Sequence, residues 1–209
     1  MSHTPPLPLT VAATVAQAAQ RLSSAGLAFG HGTTNAEDEA AWLVLWRLGL
    51  PLDSDLSDAP DSTAHRTVTA EEAAAVDALI DQRIQTRKPA AYLTHEAWLQ
   101  GVPFYVDERA IVPRSLIAEL IVDGGFDDFL GEHTQRVLDL CTGNGSLAIL
   151  AAMAYPEVEV TGADISADAL AVARINVDKH GLAQRVQLQI SNGMESLPGP
   201  WDLILCNPP

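Results

Sequence analysis

The chain has 209 residues, 47% of them hydrophobic, and a formal net charge of −15 from 12 Lys and Arg against 27 Asp and Glu. That length fits one large domain or two small ones, with enough apolar residues for a sizeable core. The acidic balance argues against a nucleic-acid-binding face, which needs a basic stripe; it suits attraction of a basic macromolecule, or simple solubility.

No apolar run reaches the length of a membrane span. Met1-Ser2-His3-Thr4-Pro5-Pro6 has no charged region leading into an apolar stretch, so no secretory signal is expected. The two cysteines, Cys141 and Cys206, lack metal-type spacing and point to a reducing compartment, hence the cytoplasm. The histidines are scattered, and no metal site is expected.

In chain order, Val11, Val15, Ala18 and Leu22 recur at helical spacing, with Thr10 as cap and Gly26 as stop. A second helix is predicted from Ala36 to Leu48, capped by Asn35, with Glu37, Asp38 and Glu39 complementing its dipole and Gly49-Leu50-Pro51 ending it. Leu52 to Arg66, rich in Asp, Ser and Pro, reads as a loop. Thr69-Ala70-Glu71-Glu72 is a capping box that opens a third helix running to about Thr86. Residues 1–88 are therefore expected to form a small helical domain that docks a substrate or packs on its neighbour.

Ala91 to Leu99 and Val102 to Val106 are β-prone and separated by Gln100-Gly101, which predicts a hairpin. Residues 89–115 are read as a hairpin linker. Leu116 to Val122 reads as a helix. From Arg136 onward strands and helices alternate: strands at Arg136 to Cys141, Val158 to Ile165, Val186 to Ile190 and Trp201 to Cys206, and helices at Ser146 to Tyr155 and Ala167 to His180. Alternation of this kind means a parallel sheet, so residues 116–209 are predicted to be a Rossmann-like α/β domain. Ligands in such sheets sit beyond the carboxyl ends of the strands. Asp139, Cys141, Asp164, Asn192 and Asn207 fall there.

Two features at that end carry chemistry. Cys141-Thr142-Gly143-Asn144-Gly145 is a tight turn between strand and helix, where Gly143 and Gly145 permit positive φ and close approach of a ligand. Asp164, ending the next strand, can accept the two hydroxyls of a ribose. The turn followed by Ser146-Leu147-Ala148 also fits a dinucleotide fingerprint, so a nicotinamide or flavin enzyme competes at this point. Asn207-Pro208-Pro209 then follows a buried strand. Its prolines leave stiff carbonyls with no nearby N–H competing for them, and its carboxamide adds another acceptor. Such a group can grip a planar NH₂ through its hydrogens.

Together the glycine turn, Asp164 and Asn-Pro-Pro resemble the HemK-like protein-glutamine methyltransferases, which use S-adenosyl-L-methionine. Pro89-Ala90-Ala91-Tyr92-Leu93-Thr94-His95-Glu96-Ala97-Trp98, Phe104-Tyr105-Val106-Asp107-Glu108-Arg109 and Val112-Pro113-Arg114-Ser115 are similar to the branch that acts on a large-subunit ribosomal protein, L-three. The likeness runs from about residue 35 onward. It implies N5-methylation of a glutamine amide, with Asn207 and Pro208 as catalytic residues that, with Pro209, bind the substrate. It implies cofactor contacts from Asp139, Cys141, Thr142, Gly143, Gly145, Asp164, Asn192 and Arg114. Asn192 stands where the family has Asp, and its amide oxygen can still accept from an adenine amino group. The helix N-terminus after Gly145 is expected to help hold the methionine carboxylate.

The family's Asn-Pro-Pro continues into a Tyr and then further strands and helices, so the chain is expected to be C-terminally truncated and its sheet incomplete. The implied partner is a basic ribosomal protein, with no direct nucleic-acid or membrane partner. Release-factor glutamine methylation, adenine-amino DNA methylation and an inactive fragment are the alternatives.

Overall fold

The computed structural model describes residues 9–30, 32–131 and 133–208. Pro209, expected at the substrate site, lies outside the described residues. The chain folds as two compact units, one reaching Thr94 and one starting at His95.

The first unit is helical because its caps are strong. Helix α1 (Val11–Ser24) starts where the Thr10 hydroxyl accepts from Ala13 N, and α2 (Ala36–Arg47) where Asn35 Oδ1 accepts from Asp38 N. In α3 (Ala70–Thr86), Thr69 and Glu72 form both halves of the capping box. Leu22, Leu43, Val44, Val76 and Ile80 make the core between the three helices. Glu39 stands in the first turn of α2 as expected, and it is also buried, at 3% exposed. It accepts from Arg83 Nε at 2.7 Å and from the Thr33 hydroxyl at 3.0 Å, so it ties α2 to α3. Burial of this pair is tolerated because the two groups bond directly to each other and Thr33 meets the remaining carboxyl oxygen.

The stretch Ala91 to Leu99 corrects the sequence expectation. Its first half is a short helix, α4 (Ala90–Thr94), and only Ala97–Leu99 is a strand, β1. Pro89 presets the first turn, where its carbonyl accepts from Tyr92 N. The Thr94 hydroxyl bonds back to Ala90 O, and His95, at φ 54, breaks the helix off. Strand β2 (Val102–Phe104) pairs antiparallel with β1. This hairpin belongs to the second unit.

That unit holds α5 (Leu116–Val122), β3 (Arg136–Leu140), α6 (Ser146–Ala154), β4 (Glu159–Asp164), α7 (Ala167–Lys179), β5 (Val186–Ile190) and β6 (Leu203–Cys206). The four strands β3–β6 are parallel in the order β5-β4-β3-β6. Residues alternate across the sheet as a two-residue period demands. Val137, Val160, Val186 and Leu205 pack on α5, α6 and α7, while Leu138 and Ala163 face Leu197 and Trp201. Helix α6 is buried nearly all round, which its run of Leu, Ile and Ala allows.

The register of β6 is set at its start. Asp202 Oδ2 accepts from Gln135 N and Arg136 N, both at 2.9 Å, and the Arg136 guanidinium stacks 4.1 Å from the Trp201 ring centroid. Consequently Leu140 lies opposite Cys206, and the two strands end level. The chain leaves β3 toward β4 on one side and returns from β5 to β6 on the other. The crevice between the ends of β3 and β6 is thus the topological switch point, the place where open α/β sheets bind ligands.

Candidate active site at the switch point

Strand β3 ends one residue earlier than its composition predicts, because Cys141 already adopts φ 61. The turn that follows has Gly143 at φ 56 and Gly145 at φ 82. The two glycines do different work. A Cβ on Gly143 would meet nothing within 4 Å, so this is the open backbone a ligand can approach. A Cβ on Gly145 would stand 3.1 Å from Ala173 Cβ, so Gly145 serves the packing of the turn on α7 rather than ligand access.

Side chains behind the turn hold its shape. Asp139 is 1% exposed, and its Oδ2 accepts from the Thr142 hydroxyl and from Ala148 N. Burial pushes its carboxyl up to about 7, against the lowering pull of the Thr142 and Ala148 bonds; the nearby Asp164 charge adds to the rise.

A carboxyl raised in the fold stabilises the folded chain fully below its unfolded value of about 4, and this contribution is lost as pH climbs through about 7. Across that window Asp139 should cost up to about 1.4 kcal/mol of stability per pH unit. His180 titrates the other way, since burial lowers its pKa. The difference between wild type and Asp139→Asn isolates the effect. Between pH 5 and 8 the melting temperature of the variant should rise relative to wild type. Parallel curves would show that Asp139 titrates normally.

Asp164 ends β4. Its Oδ2 accepts from Gly143 N at 2.9 Å and its Oδ1 from Ser166 N at 2.9 Å. Ser166, not Asp164, caps α7, through its hydroxyl and Ala169 N. Each Asp164 oxygen therefore spends one lone pair on the backbone and keeps capacity for a further donor. The N-terminus of α6 offers fewer donors than expected: Ser146 N is taken by Asn144 Oδ1 and Ala148 N by Asp139. Those two amides do not await a carboxylate.

Asn207 follows β6 and faces the turn across the switch point. Its amide nitrogen donates to Arg114 O over a long 3.4 Å, which turns the carboxamide oxygen away from that carbonyl. One cleft is lined by Asp139, Cys141, Thr142, Gly143, Arg114 and Asn207. Pro208 is exposed just beyond Asn207. Asn192 is exposed after β5, and its side chain donates to Glu195 Oε1 at 3.1 Å. Among the described residues, Gly145, Asp164, Asn192 and Pro208 are not in the lining of the cleft. Asp164 reaches the turn through Gly143.

The Cys141 thiol is pushed up by partial desolvation and then by the neighbouring Cys206, so it stays protonated and is a poor nucleophile. Pro113 and Ser115, quoted above with Arg114, line the cleft beside it, and so does Ile111, which was not assigned a role from sequence. Nor was Asn176. Asn176, fully buried in α7, bonds to the turn. A lone Asn among Ile175 and Val177 on an apolar helix face was the available signal.

Residues 125–209 match the Methyltransferase small domain family. The chain is 48% identical to a ribosomal protein uL3 glutamine methyltransferase of Burkholderia pseudomallei, over 99% of its own length and 69% of that protein's. It is 49% identical to the one of Bordetella pertussis, over 92% and 63%. A tRNA (uracil-54, C5)-methyltransferase of Pyrococcus abyssi is a remoter likeness, with TM-score 0.43 and 20% identity over 55% of this chain and 28% of that one. The chain belongs to the ribosomal protein uL3 glutamine methyltransferase family, and spans between 63% and 69% of the length of these two relatives.

Proposed function

We propose that this chain carries the cofactor-binding and amide-gripping part of an S-adenosylmethionine-dependent enzyme that methylates the side-chain nitrogen of a glutamine in ribosomal protein uL3. The observation that carries the reading is the placement of Asn207 and Gly143 on one cleft at the switch point. The residues fit the cofactor: Gly143 leaves bare backbone, and Asp164 keeps acceptor capacity for ribose hydroxyls.

Bound S-adenosylmethionine would supply a methyl group already activated by its sulfonium. A glutamine nitrogen is a weak nucleophile because its lone pair is delocalised, so the protein's task is orientation, worth roughly 7–11 kcal/mol in favourable cases. Asn207 Oδ1 and the Pro208 carbonyl would accept the two amide hydrogens, fix the nitrogen, and stabilise the positive charge that grows on it. No strong base is needed, since an N-protonated amide loses its proton readily. Arg114 lies over the cleft beside Asn207.

The net charge of −15 suits a basic ribosomal protein as partner, and docking that protein is a role the helical unit could fill. Among the described residues no helix is long and apolar enough to cross a membrane. Two free thiols support a reducing cytoplasm as the setting.

Calorimetry with S-adenosylhomocysteine and with NAD, followed by methylation of purified uL3 with labelled cofactor, tests the reading. Binding of S-adenosylhomocysteine alone and label on a uL3 glutamine are expected. Preference for NAD, or label on DNA adenine in place of uL3, would overturn it.

A further inference from the structure

We infer that Asn176 is a positioning residue that clamps the glycine turn to the segment leading into the cleft-lining residues Ile111 and Pro113 to Ser115. It rests on the reading of that turn as the cofactor-binding loop.

Asn176 is 0% exposed and uses its carboxamide at both ends. Its Oδ1 accepts from Tyr105 N at 2.6 Å, and its Nδ2 donates to Tyr105 O and to Asn144 O, each at 2.9 Å. One side chain thereby reads both backbone groups of Tyr105 and one carbonyl of the turn. The Asn144 carbonyl belongs to the peptide that joins Asn144 to Gly145. Fixing it sets the plane whose N–H donates to Thr142 O at 2.9 Å and closes the turn.

The other end is equally constrained. Tyr105 stacks on His95, and its hydroxyl donates to Asp107 Oδ2 at 2.9 Å. Asp107 is gripped by Arg109, which holds its carboxyl well below the usual range. A second bond, between Nε2 of His180, which caps the C-terminus of α7, and Pro103 O at 3.0 Å, holds the strand just before Tyr105. Ala110 then packs on Ala169 and Val172 of α7. Ile111, Pro113, Arg114 and Ser115 reach the cleft directly afterwards.

Gln carries the same acceptor and donors, but on a stem one methylene longer, which displaces them from this geometry. Asp would lose both donations and bury a charge; Leu would take the side-chain partner from three backbone groups, one of them buried and two part-buried. Asn176 couples the two walls, so a change at the turn is transmitted to the segment carrying Arg114, whose carbonyl in turn receives the Asn207 amide.

The test compares wild type with Asn176→Ala and with Val177→Ala, a neighbouring core truncation on the same helix whose apolar side chain makes no hydrogen bond to either wall. Amide hydrogen exchange of the chain without cofactor is read first, then S-adenosylhomocysteine affinity by calorimetry. Asn176→Ala should speed exchange at least tenfold at both Tyr105 and Gly143–Ser146 and weaken S-adenosylhomocysteine binding at least tenfold. Val177→Ala should leave both within about twofold after matching for thermal stability. Equal effects of the two truncations, or acceleration at one wall alone, would overturn the clamp.

Should Asn176→Ala fail to fold, wild type still decides. Binding of S-adenosylhomocysteine at the turn should slow exchange at the Tyr105 amide as well, and an unchanged Tyr105 would refute the coupling. Absence of S-adenosylhomocysteine binding by wild type would count against the proposed function, while the cofactor-free exchange data would still judge the clamp.

Discussion

Asn207→Ala is expected to lower methyl transfer to uL3 at least about a hundredfold while changing S-adenosylhomocysteine affinity less than about threefold. The reason lies in where the side chain stands. Asn207 follows β6 on the far side of the switch point from Gly143 and Asp164, so on the proposed reading it would contact the amide that is methylated rather than the nucleoside. Its oxygen would interact most strongly once positive charge develops on the nitrogen, and an interaction of that kind appears in kcat rather than in cofactor binding.

The nearest structural partner of Asn207 is a 3.4 Å bond to Arg114 O at a partly exposed position, whose loss costs little stability. Measured in the full-length protein, equal loss of cofactor affinity and turnover would assign Asn207 a structural role. Asn207→Asp separates charge from shape: it keeps the acceptors, and a carboxylate there should retain more activity than Ala.

Asp164→Ala should act on the opposite half of the cleft and weaken S-adenosylhomocysteine binding about 10- to 100-fold, the loss expected when two hydrogen bonds to a charged acceptor disappear. The same substitution removes the acceptor for Gly143 N and Ser166 N, so the melting temperature should fall too. Asp164→Asn distinguishes the two contributions. One amide oxygen can still receive Gly143 N, so the turn is largely kept, but the second ribose hydroxyl meets a donor. Stability close to wild type with affinity still reduced at least tenfold is the expected pattern. An unchanged affinity in Asp164→Ala would place the ribose elsewhere.

Much of this arrangement is legible without coordinates, and the reason is local. Thr10, Asn35 and the Thr69–Glu72 box cap their helices as short-range hydrogen bonding requires, whatever the rest of the chain does. Strand–helix alternation after Arg136 imposes a parallel sheet, and the residues at strand ends follow from it. The misread stretch, Ala91 to Leu99, is one where a Pro-initiated helical turn and a three-residue strand share a window too short for periodicity to separate. The burial of Glu39 is hidden in the sequence for a different reason. A first-turn acid looks the same in sequence whether it meets water or Arg83, which lies far along the chain.

Composition, caps and period therefore settle the class of fold, the glycine turn, and the carboxylate and carboxamide that close their strands, since each depends on neighbours within a few residues. The long-range order decides the rest. Only the strand order β5-β4-β3-β6 brings Asn207 to the turn after β3, only packing separates the role of Gly143 from that of Gly145, and only burial turns Asn176 from a polar interruption into a three-bond clamp. These are contacts between residues distant in the chain, whose energy exists once the sheet has closed and water has been expelled, so no local pattern can encode them.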